Sequence, residues 1–338
     1  MRRKAAEGAT PLDGVDVLLA DLDGVVYTGP DAIPHAVESL EAAARSGIRV
    51  GYITNNASRS DRVVAEHLAG FGLHVEPADV VTSPQAAMRL LADLVPAGSL
   101  LLVVGGEGLV TEVERAGYRV TRAAADGPAA VVQGFAPEVG WRELAEASFA
   151  LARDRDGNGI PWVATNTDWT IPVAGGIAPG NGTLVSAVHT AVGILPQVAG
   201  KPERAIFDEA VRRFGATSPL FIGDRLDTDI LGARRAGIAS VHVLTGIDVA
   251  KQLLAAPSDS RPDFLLEDLR QLAEPYPVAE RTRRGTRVGR AIVALRGNRV
   301  EIVEDGDRQI DLLRAACAVV WGSGMAIYAL DIPDRLHR

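Results

Sequence analysis

The chain reads as an α/β protein built on a doubly wound parallel sheet. Two observations predict this. Short, continuously apolar runs such as VDVLLA and PLFIG end in acidic residues or glycine, as strands buried on both faces do. Between them lie amphipathic stretches of helical length, so that strand and helix alternate. A third observation bounds the pattern: the rhythm stops near residue 275, where the composition changes.

Residues 1–13 are polar and marked by Gly and Pro, which predicts a loose N-terminus. VDVLLA (15–20) is the first strand, and PHAVESLEAAARS (34–46), closed by Gly47, the first helix. IRVGYITNN (48–56) is a second strand. SDRVVAEHLAGFG (60–72) is a helix with Ser60 as its N-cap. LLVVGGEG (101–108) and AAVVQG (129–134) follow as strands, then a helix over 138–154 and a strand at WVATN. Residues 170–183, rich in Gly and Pro, are expected to be loop. Helices near 183–193 and 203–214 lead to strands PLFIGD (219–224) and SVHVLTG (240–246) and to FLLEDLRQLAE (264–274). PYPVAERTRRG (275–285) reads as a linker. After it come a hairpin with RGN at its turn, a helix over 307–321 and a strand at MAIYALDI, together a small α+β unit.

Composition excludes several classes. With 338 residues, 47% hydrophobic and 23% charged, a sizeable core is available. A net charge of -8 disfavours a dedicated nucleic-acid binder, and 5% aromatics disfavours a stacking surface for single strands. The charge is uneven: residues 276–338 carry 11 Arg and 8 acidic residues, net +3, against -11 for the remainder. The single cysteine, Cys317, excludes an intrachain disulfide and Cys-rich zinc sites and fits a reducing cytoplasm. MRRKAAEGATPLDG has the charges of a signal n-region without the apolar h-region after it, and no apolar run is long enough for a membrane span.

Four signals fall at predicted strand ends, where open parallel sheets bind ligands. They are Asp21-Leu22-Asp23-Gly24, Thr54-Asn55-Asn56, Gly200-Lys201-Pro202 and Gly223-Asp224-Arg225-Leu226-Asp227-Thr228-Asp229. Carboxylates at i and i+2 after a strand are forced close together. A hydroxyl and amides at a strand end can hold a phosphate oxygen. Lys201 is one of only three lysines beside 32 arginines, and an ammonium suits a phosphate and carboxylate cluster. Each signal has an ordinary alternative: an Asx turn, a helix N-terminus favouring Asp, an N-cap, a solvated lysine.

Taken in this order, the four signals resemble the motifs of the haloacid-dehalogenase-like phosphatase superfamily. TNN, GKP and GDRLDTDI resemble its type II-A cap branch, the 4-nitrophenylphosphatase-like enzymes, over residues 14–275. The resemblance implies that Asp21 is a nucleophile forming an aspartyl-phosphate and Asp23 the general acid/base. It implies that Mg²⁺ is held by Asp21, Asp224 and the Asp23 main-chain carbonyl, supported by Asp229. Thr54, Asn55 and Asn56 would bind the phosphoryl group, and Lys201 would neutralise it. Chemistry agrees: a carboxylate attacks a phosphate dianion poorly until cations offset the repulsion. Dehalogenation would need neither the metal nor the second aspartate.

The resemblance further implies core segments 14–84 and 191–275 around an inserted α/β cap, residues 85–190. Thr165-Asn166-Thr167-Asp168-Trp169 is the candidate specificity loop, with Asn166, Asp168 and Trp169 as its contacts; an ordinary strand-to-loop junction is the alternative. Residues 276–338 lie outside the superfamily pattern. A catalytic block with such an extension resembles the glycerol-3-phosphate phosphatases of some high-GC bacteria, whose C-terminal region is similar to part of an acetyltransferase fold. This points to glycerol 3-phosphate, with phosphoglycolate, pyridoxal phosphate, a sugar phosphate or a nucleotide as rival small phosphomonoesters. No [QR]-x-x-G-x-[GA] loop precedes the last helix, which argues against acetyl-CoA binding by a bifunctional enzyme. The extension is expected to be a stabilising appendage, with homodimer formation or regulation as other uses. The intact acidic set argues against a non-catalytic module. Asp154-Arg155-Asp156-Gly157-Asn158-Gly159 matches half of an EF-hand loop, but Thr165 stands where the bidentate Glu belongs, so it reads as a turn.

Overall fold

The computed structural model describes residues 8–152, 157–173 and 175–337. Residues 1–7 of the expected loose N-terminus, and Asp154 and Asp156 of the half EF-hand loop, lie outside the described residues. Contacts gather the chain into two compact units. One comprises residues up to Val50 together with Phe214 onward; the other is 51–213. The sequence reading places its divisions at 84/85, 190/191 and 275/276.

The first unit opens with β1 (Val17–Ala20), every residue of it buried, then the short pair β2 (Tyr27–Thr28) and β3 (Asp31–Ala32) and helix α1 (Ala36–Arg45). Strand β4 (Arg49–Thr54) carries the chain into the second unit. There α2 (Asp61–Gly70) is capped by Ser60, whose hydroxyl accepts from the Val63 N–H as expected. β5 (Val80–Thr82) pairs in parallel with β4, and α3 (Ser83–Ala92) starts in a capping box of Thr82 and Gln85.

β6 (Leu100–Val104), α4 (Glu107–Arg115), β7 (Arg119–Thr121), β8 (Ala130–Gln133), α5 (Trp141–Leu151) and β9 (Trp162–Ala164) continue the alternation. A hairpin follows, β10 (Thr170–Val173) and β11 (Gly176–Pro179), then α6 (Asn181–Val192), β12 (Gln197–Val198) and α7 (Arg204–Phe214). The five strands order as β12-β9-β8-β6-β7, all parallel. The hairpin corrects the expected loop at 170–183. Pro is excluded from central strands, but each strand of a two-stranded ribbon has a free edge, so Pro172 and Pro179 are tolerated.

The first unit resumes with β13 (Pro219–Gly223), α8 (Leu231–Ala236), β14 (Ala239–Val243), α9 (Ala250–Leu254) and β15 (Phe264–Leu266). Its parallel strands order as β15-β14-β13-β1. The predicted C-terminal unit is an antiparallel sheet, β16 (Glu280–Thr282), β17 (Gly285–Val288), β18 (Ala291–Arg296) and β19 (Arg299–Glu304), covered by α10 (Gln309–Gly322).

Three C- and N-terminal expectations need correction. Residues 275–285 are more than a linker: they form β16 and begin β17, and Tyr276 is a clasp. Its hydroxyl accepts from the Leu265 N–H (3.0 Å) and its ring lies 4.5 Å beneath the Arg314 guanidinium. Residues 8–13 are tied down, since the Ala9 carbonyl accepts from the Tyr276 N–H (2.9 Å) and Asp13 accepts from Thr10. MAIYALDI is no strand. A 3₁₀ turn at Ile327–Ala329 leaves Tyr328 91% exposed, and only Asp331 bridges to the edge strand, at Arg299.

The extension shares one core with the sheet it follows. Ile310, Leu313, Ala316 and Cys317 pack with Leu226, Ile230, Leu253 and Leu265. Arg314, buried in this seam, donates to the Leu265 carbonyl (2.9 and 2.6 Å), to Gln271 (3.1 Å) and to Asp311 (2.8 Å). Burial pushes the Cys317 thiol up, far from its reactive range. We therefore expect Cys317 to stay unmodified by an aqueous thiol reagent in the folded protein and to react fully on unfolding; rapid modification of native protein would contradict the shared core. Arg314→Ala strands Asp311 in the interior and should lower stability by about 3–5 kcal/mol. The check is the denaturant concentration at which Cys317 becomes reactive.

Candidate active site

In the first unit, β1 and β13 are parallel neighbours, with Ala20 opposite Ile222. Asp21 follows one strand and Asp224 the other, and the ladder extends one step further as the Asp21 N–H donates to the Ile222 carbonyl (2.9 Å). After Asp224, Leu226–Ile230 winds as a single π-helical turn, and Asp229 on that turn folds back. Its Oδ2 accepts from the N–H groups of Asp224 and Arg225, both at 3.1 Å. Asp21, Asp224 and Asp229 are all buried, and each offers a carboxylate oxygen within 4.8 Å of the others.

Like charges this close repel by about 4 kcal/mol per pair at an effective dielectric of 20. The surroundings are built to hold them. The Asp224 Oδ2 accepts from the Ile247 N–H (2.8 Å), and the Asp248 Oδ2 from the Leu226 N–H (2.7 Å). The Asp248 carbonyl meets His242 Nε2 at 2.8 Å, and burial pushes the His242 imidazole down, so that it sits there neutral. Two glycines leave the room. A Cβ on Gly24, which has φ +81°, would lie 2.4 Å from Asp224 Oδ2, and one on Gly246 would lie 2.0 Å from it. An all-oxygen set of one to three carboxylates is what a hard divalent cation takes, with water filling the remaining positions, so these residues fit such an ion.

Asp23 lies apart from the buried trio in character. It is exposed, and its Oδ2 accepts from the Tyr27 hydroxyl (3.3 Å). The adjoining Gly24 N–H donates to the Tyr27 carbonyl (2.9 Å) and the Gly24 carbonyl accepts from Thr245 (2.7 Å), which fixes this turn.

The second unit holds the other expected residues. Thr54 closes β4, buried, and its Oγ1 accepts from the Asn56 N–H (3.1 Å). Asn56 Oδ1 in turn accepts from the Ser58 N–H and hydroxyl (2.9 and 2.8 Å). Asn55 sits between Lys201 and the 165–169 loop. Its Oδ1 accepts from the Lys201 N–H (2.8 Å), and its Nδ2 donates to the Lys201 carbonyl (3.0 Å) and to Asp168 (3.1 Å). Lys201 is buried. Asn166 is buried as well and donates to the Asn55 carbonyl (2.7 Å). Trp169 stands 66% exposed; its carbonyl accepts from the Gly180 N–H and from Thr183, both at 2.8 Å, which anchors the start of α6.

The structure thus brings Asp21, Asp224 and Asp229 together, and separately Asn55, Asn166, Asp168 and Lys201. Sequence reasoning missed Asp248, Gly246, Ser83 and Asn181. Asp248 and Gly246 had a signal, since Gly246 ends the predicted strand SVHVLTG and Asp248 follows it. Ser83, which donates to the Asn55 carbonyl (2.8 Å), and Asn181, which donates to the Asn166 carbonyl (2.7 Å), had none.

A parallel α/β sheet with carboxylates clustered beyond the ends of adjacent strands has the architecture of a ligand site able to hold a divalent cation. Comparison with known proteins makes the assignment specific. A family model described as haloacid dehalogenase-like hydrolase matches residues 18–119, and one described as HAD-hydrolase-like matches residues 198–272. D-glycerol 3-phosphate phosphatase of Mycobacterium tuberculosis is 42% identical over 310 residues, covering 90% of this chain and 86% of that protein. Glycerol-3-phosphate phosphatase of Gallus gallus is 36% identical over 276 residues, covering 75% and 88%. The solved structure of a glycerol phosphate phosphatase from Mycobacterium tuberculosis, in complex with magnesium, superposes with a TM-score of 0.83 at 39% identity, covering 96% of this chain and 94% of that one. The chain belongs to the haloacid dehalogenase-like hydrolase family.

The geometry predicts a measurable metal response. At about 100 times the dissociation constant, a divalent cation should stabilise the fold by about 2.7 kcal/mol. Gly246→Ala, which pushes on Asp224, should raise the Mg²⁺ concentration for half of the thermal shift by about tenfold or more, and Asp224→Asn should remove the shift. An unchanged titration in both variants would detach these carboxylates from metal binding.

Proposed function

We propose that this protein is a Mg²⁺-dependent phosphomonoesterase that hydrolyses glycerol 3-phosphate to glycerol and phosphate. The observation that carries this reading is the buried triad Asp21, Asp224 and Asp229 at the ends of adjacent parallel strands. The relatives above support the substrate: two of them are named for glycerol 3-phosphate. Residues 14–84 and 191–275 act as the catalytic core, 85–190 as the cap and 276–338 as a stabilising appendage. Among the described residues no helix is long and apolar enough to cross a membrane. The single buried cysteine and the net charge of -8 support a cytoplasmic enzyme with a small acidic substrate and no nucleic-acid partner.

In this reading Asp21 attacks phosphorus and carries the phosphoryl group as an aspartyl-phosphate. Asp23 protonates the departing glycerol oxygen, then takes a proton from the water that hydrolyses the acyl phosphate. Asp21, Asp224, Asp229 and the Asp23 carbonyl would hold Mg²⁺, which when bound supplies positive charge against the phosphoryl oxygens. Thr54, Asn56 and the Lys201 ammonium bind the phosphoryl group, and Asn166, Asp168 and Trp169 belong to the loop that senses the leaving group. The exposure of Asp23 and its Tyr27 contact suit a group that must exchange protons with water.

Asp21→Asn keeps size and polarity but removes the nucleophile, so turnover should fall on the order of 10³-fold or more, while the metal-free melting temperature should hold or rise because one charge leaves the repelling cluster. Retention of several per cent of activity would refute the assignment. Asp23→Asn should slow glycerol 3-phosphate hydrolysis by about 10²–10⁴-fold while sparing an aryl phosphate, whose leaving group needs little protonation. Equal losses on both substrates would remove Asp23 from the acid role.

A further inference from the structure

Asn55 belongs to the Thr54-Asn55-Asn56 run whose expected task is to hold a phosphate oxygen. Its side chain is occupied otherwise. A primary amide has two N–H donors and one carbonyl acceptor. The Asn55 acceptor takes the Lys201 N–H (2.8 Å), and its Nδ2 is shared between the Lys201 carbonyl (3.0 Å) and the Asp168 carboxylate (3.1 and 3.3 Å). The amide therefore pairs with Lys201 as one peptide unit pairs with another, gripping both polar groups of its main chain. The fit is close: a Cβ on Gly200 would lie 2.6 Å from Asn55 Oδ1.

Asn55 is itself fixed. Its main-chain carbonyl accepts from Ser83 Oγ (2.8 Å) and Asn166 Nδ2 (2.7 Å), filling both lone pairs. The Asn166 carbonyl accepts from Asn181 Nδ2 at the start of α6 (2.7 Å), and Asn166 Oδ1 accepts from the Asp168 N–H (3.1 Å). A partly buried network of this kind, with Asn166 and Asn181 fully buried, ties one position to another, because a group left without its partner away from water is costly.

We infer that Asn55 is a positioning residue that sets the main chain of Lys201 and locks it to the 166–168 loop through Asp168, so that the lysine and the loop facing the leaving group are placed as one unit. This rests on the proposed phosphatase reading for what the lysine does, and on the hydrogen bonds alone for the coupling. The consequence for specificity is direct. A change in loop 166–168 is felt at Lys201, so loop variants alter kcat as well as KM.

The test is a mutant cycle read in two independent ways. Asn55→Asp keeps the acceptor for the Lys201 N–H, but loses the donors and sets one carboxylate against another at Asp168. Asp168→Asn supplies a donor in place of that carboxylate, so the swapped pair Asn55→Asp/Asp168→Asn restores the contact between the two positions. We expect Asn55→Asp to lower kcat about 10²-fold, the cost of a misplacement near 1 Å, with the Mg²⁺ concentration for half-activity unchanged. The swapped pair should exceed the product of the single effects by about tenfold or more. Hydrogen exchange supplies the readout that needs no turnover: in Asn55→Asp the new carboxylate, driven from Asp168 and with it from the Lys201 N–H, should cost protection at the Lys201 amide and across 165–168 together, and the swapped pair should regain both. Activity of Asn55→Asp within about threefold of wild type, or strictly multiplicative single effects, would overturn the inference. So would loss of protection at Lys201 with 165–168 unaffected. Should the wild-type protein release no phosphate from any monoester, the phosphatase reading fails, while the exchange data still decide the coupling. If Asn55→Asp does not fold, Asn55→Ser, a smaller side chain that still accepts, carries the kcat and hydrogen-exchange comparisons with wild type, without the swap.

Discussion

Bringing the carboxylates of Asp21, Asp224 and Asp229 within 4.8 Å of one another, out of bulk water, costs free energy that the surrounding chain must offset. Three devices do so in the first unit. Adjacent parallel strands fix Asp21 and Asp224 at their ends, main-chain N–H groups meet Asp224 and Asp229, and Gly24 and Gly246 leave room where any side chain would strike Asp224. The π turn Leu226–Ile230 is part of the same arrangement, since it returns Asp229 to the strand end that the chain has just left. A divalent cation bound among these carboxylates would relieve their repulsion, as the proposed metal-dependent reaction requires.

The rear of that π turn explains why the C-terminal extension stays with the catalytic sheet. Leu226 and Ile230, on the turn, belong to the same core as α10, and Arg314 ties that helix to the Leu265 carbonyl. About 60 residues of sheet and helix are marginal alone, and here they share their core with the elements that precede them. The second unit solves a different problem with neutral groups. Amides of Asn55, Asn166 and Asn181 span between main-chain carbonyls, which places a lysine without further charges in its backbone contacts.

Much of this was legible in the sequence, for a reason visible at particular residues. Asp21 and Asp224 follow apolar runs, and an acid after a buried strand has few places to go other than the sheet's carboxyl edge. The strand and helix rhythm and the Ser60 cap were readable from periodicity and local chemistry. What escaped reading depends on partners remote in sequence. Residues 170–183 carry the Gly and Pro of a loop but pair as a ribbon, because Pro is harmless at a free edge. Tyr276 sits in a stretch that reads as a linker, yet Arg314 and Leu265 give it a docking role. Asn55 announces an amide at a strand end, and only the fold reveals that the amide serves Lys201 and Asp168.

The central claim is that the acidic cluster serves metal-dependent hydrolysis of a small phosphomonoester. Phosphate release measured across a panel led by glycerol 3-phosphate, with Mg²⁺ and with chelator, tests it most directly. The account predicts release that requires the metal and favours glycerol 3-phosphate over phosphoglycolate, pyridoxal phosphate, sugar phosphates and nucleotides. Release that persists in chelator, or no release from any member by demonstrably folded protein, would contradict it.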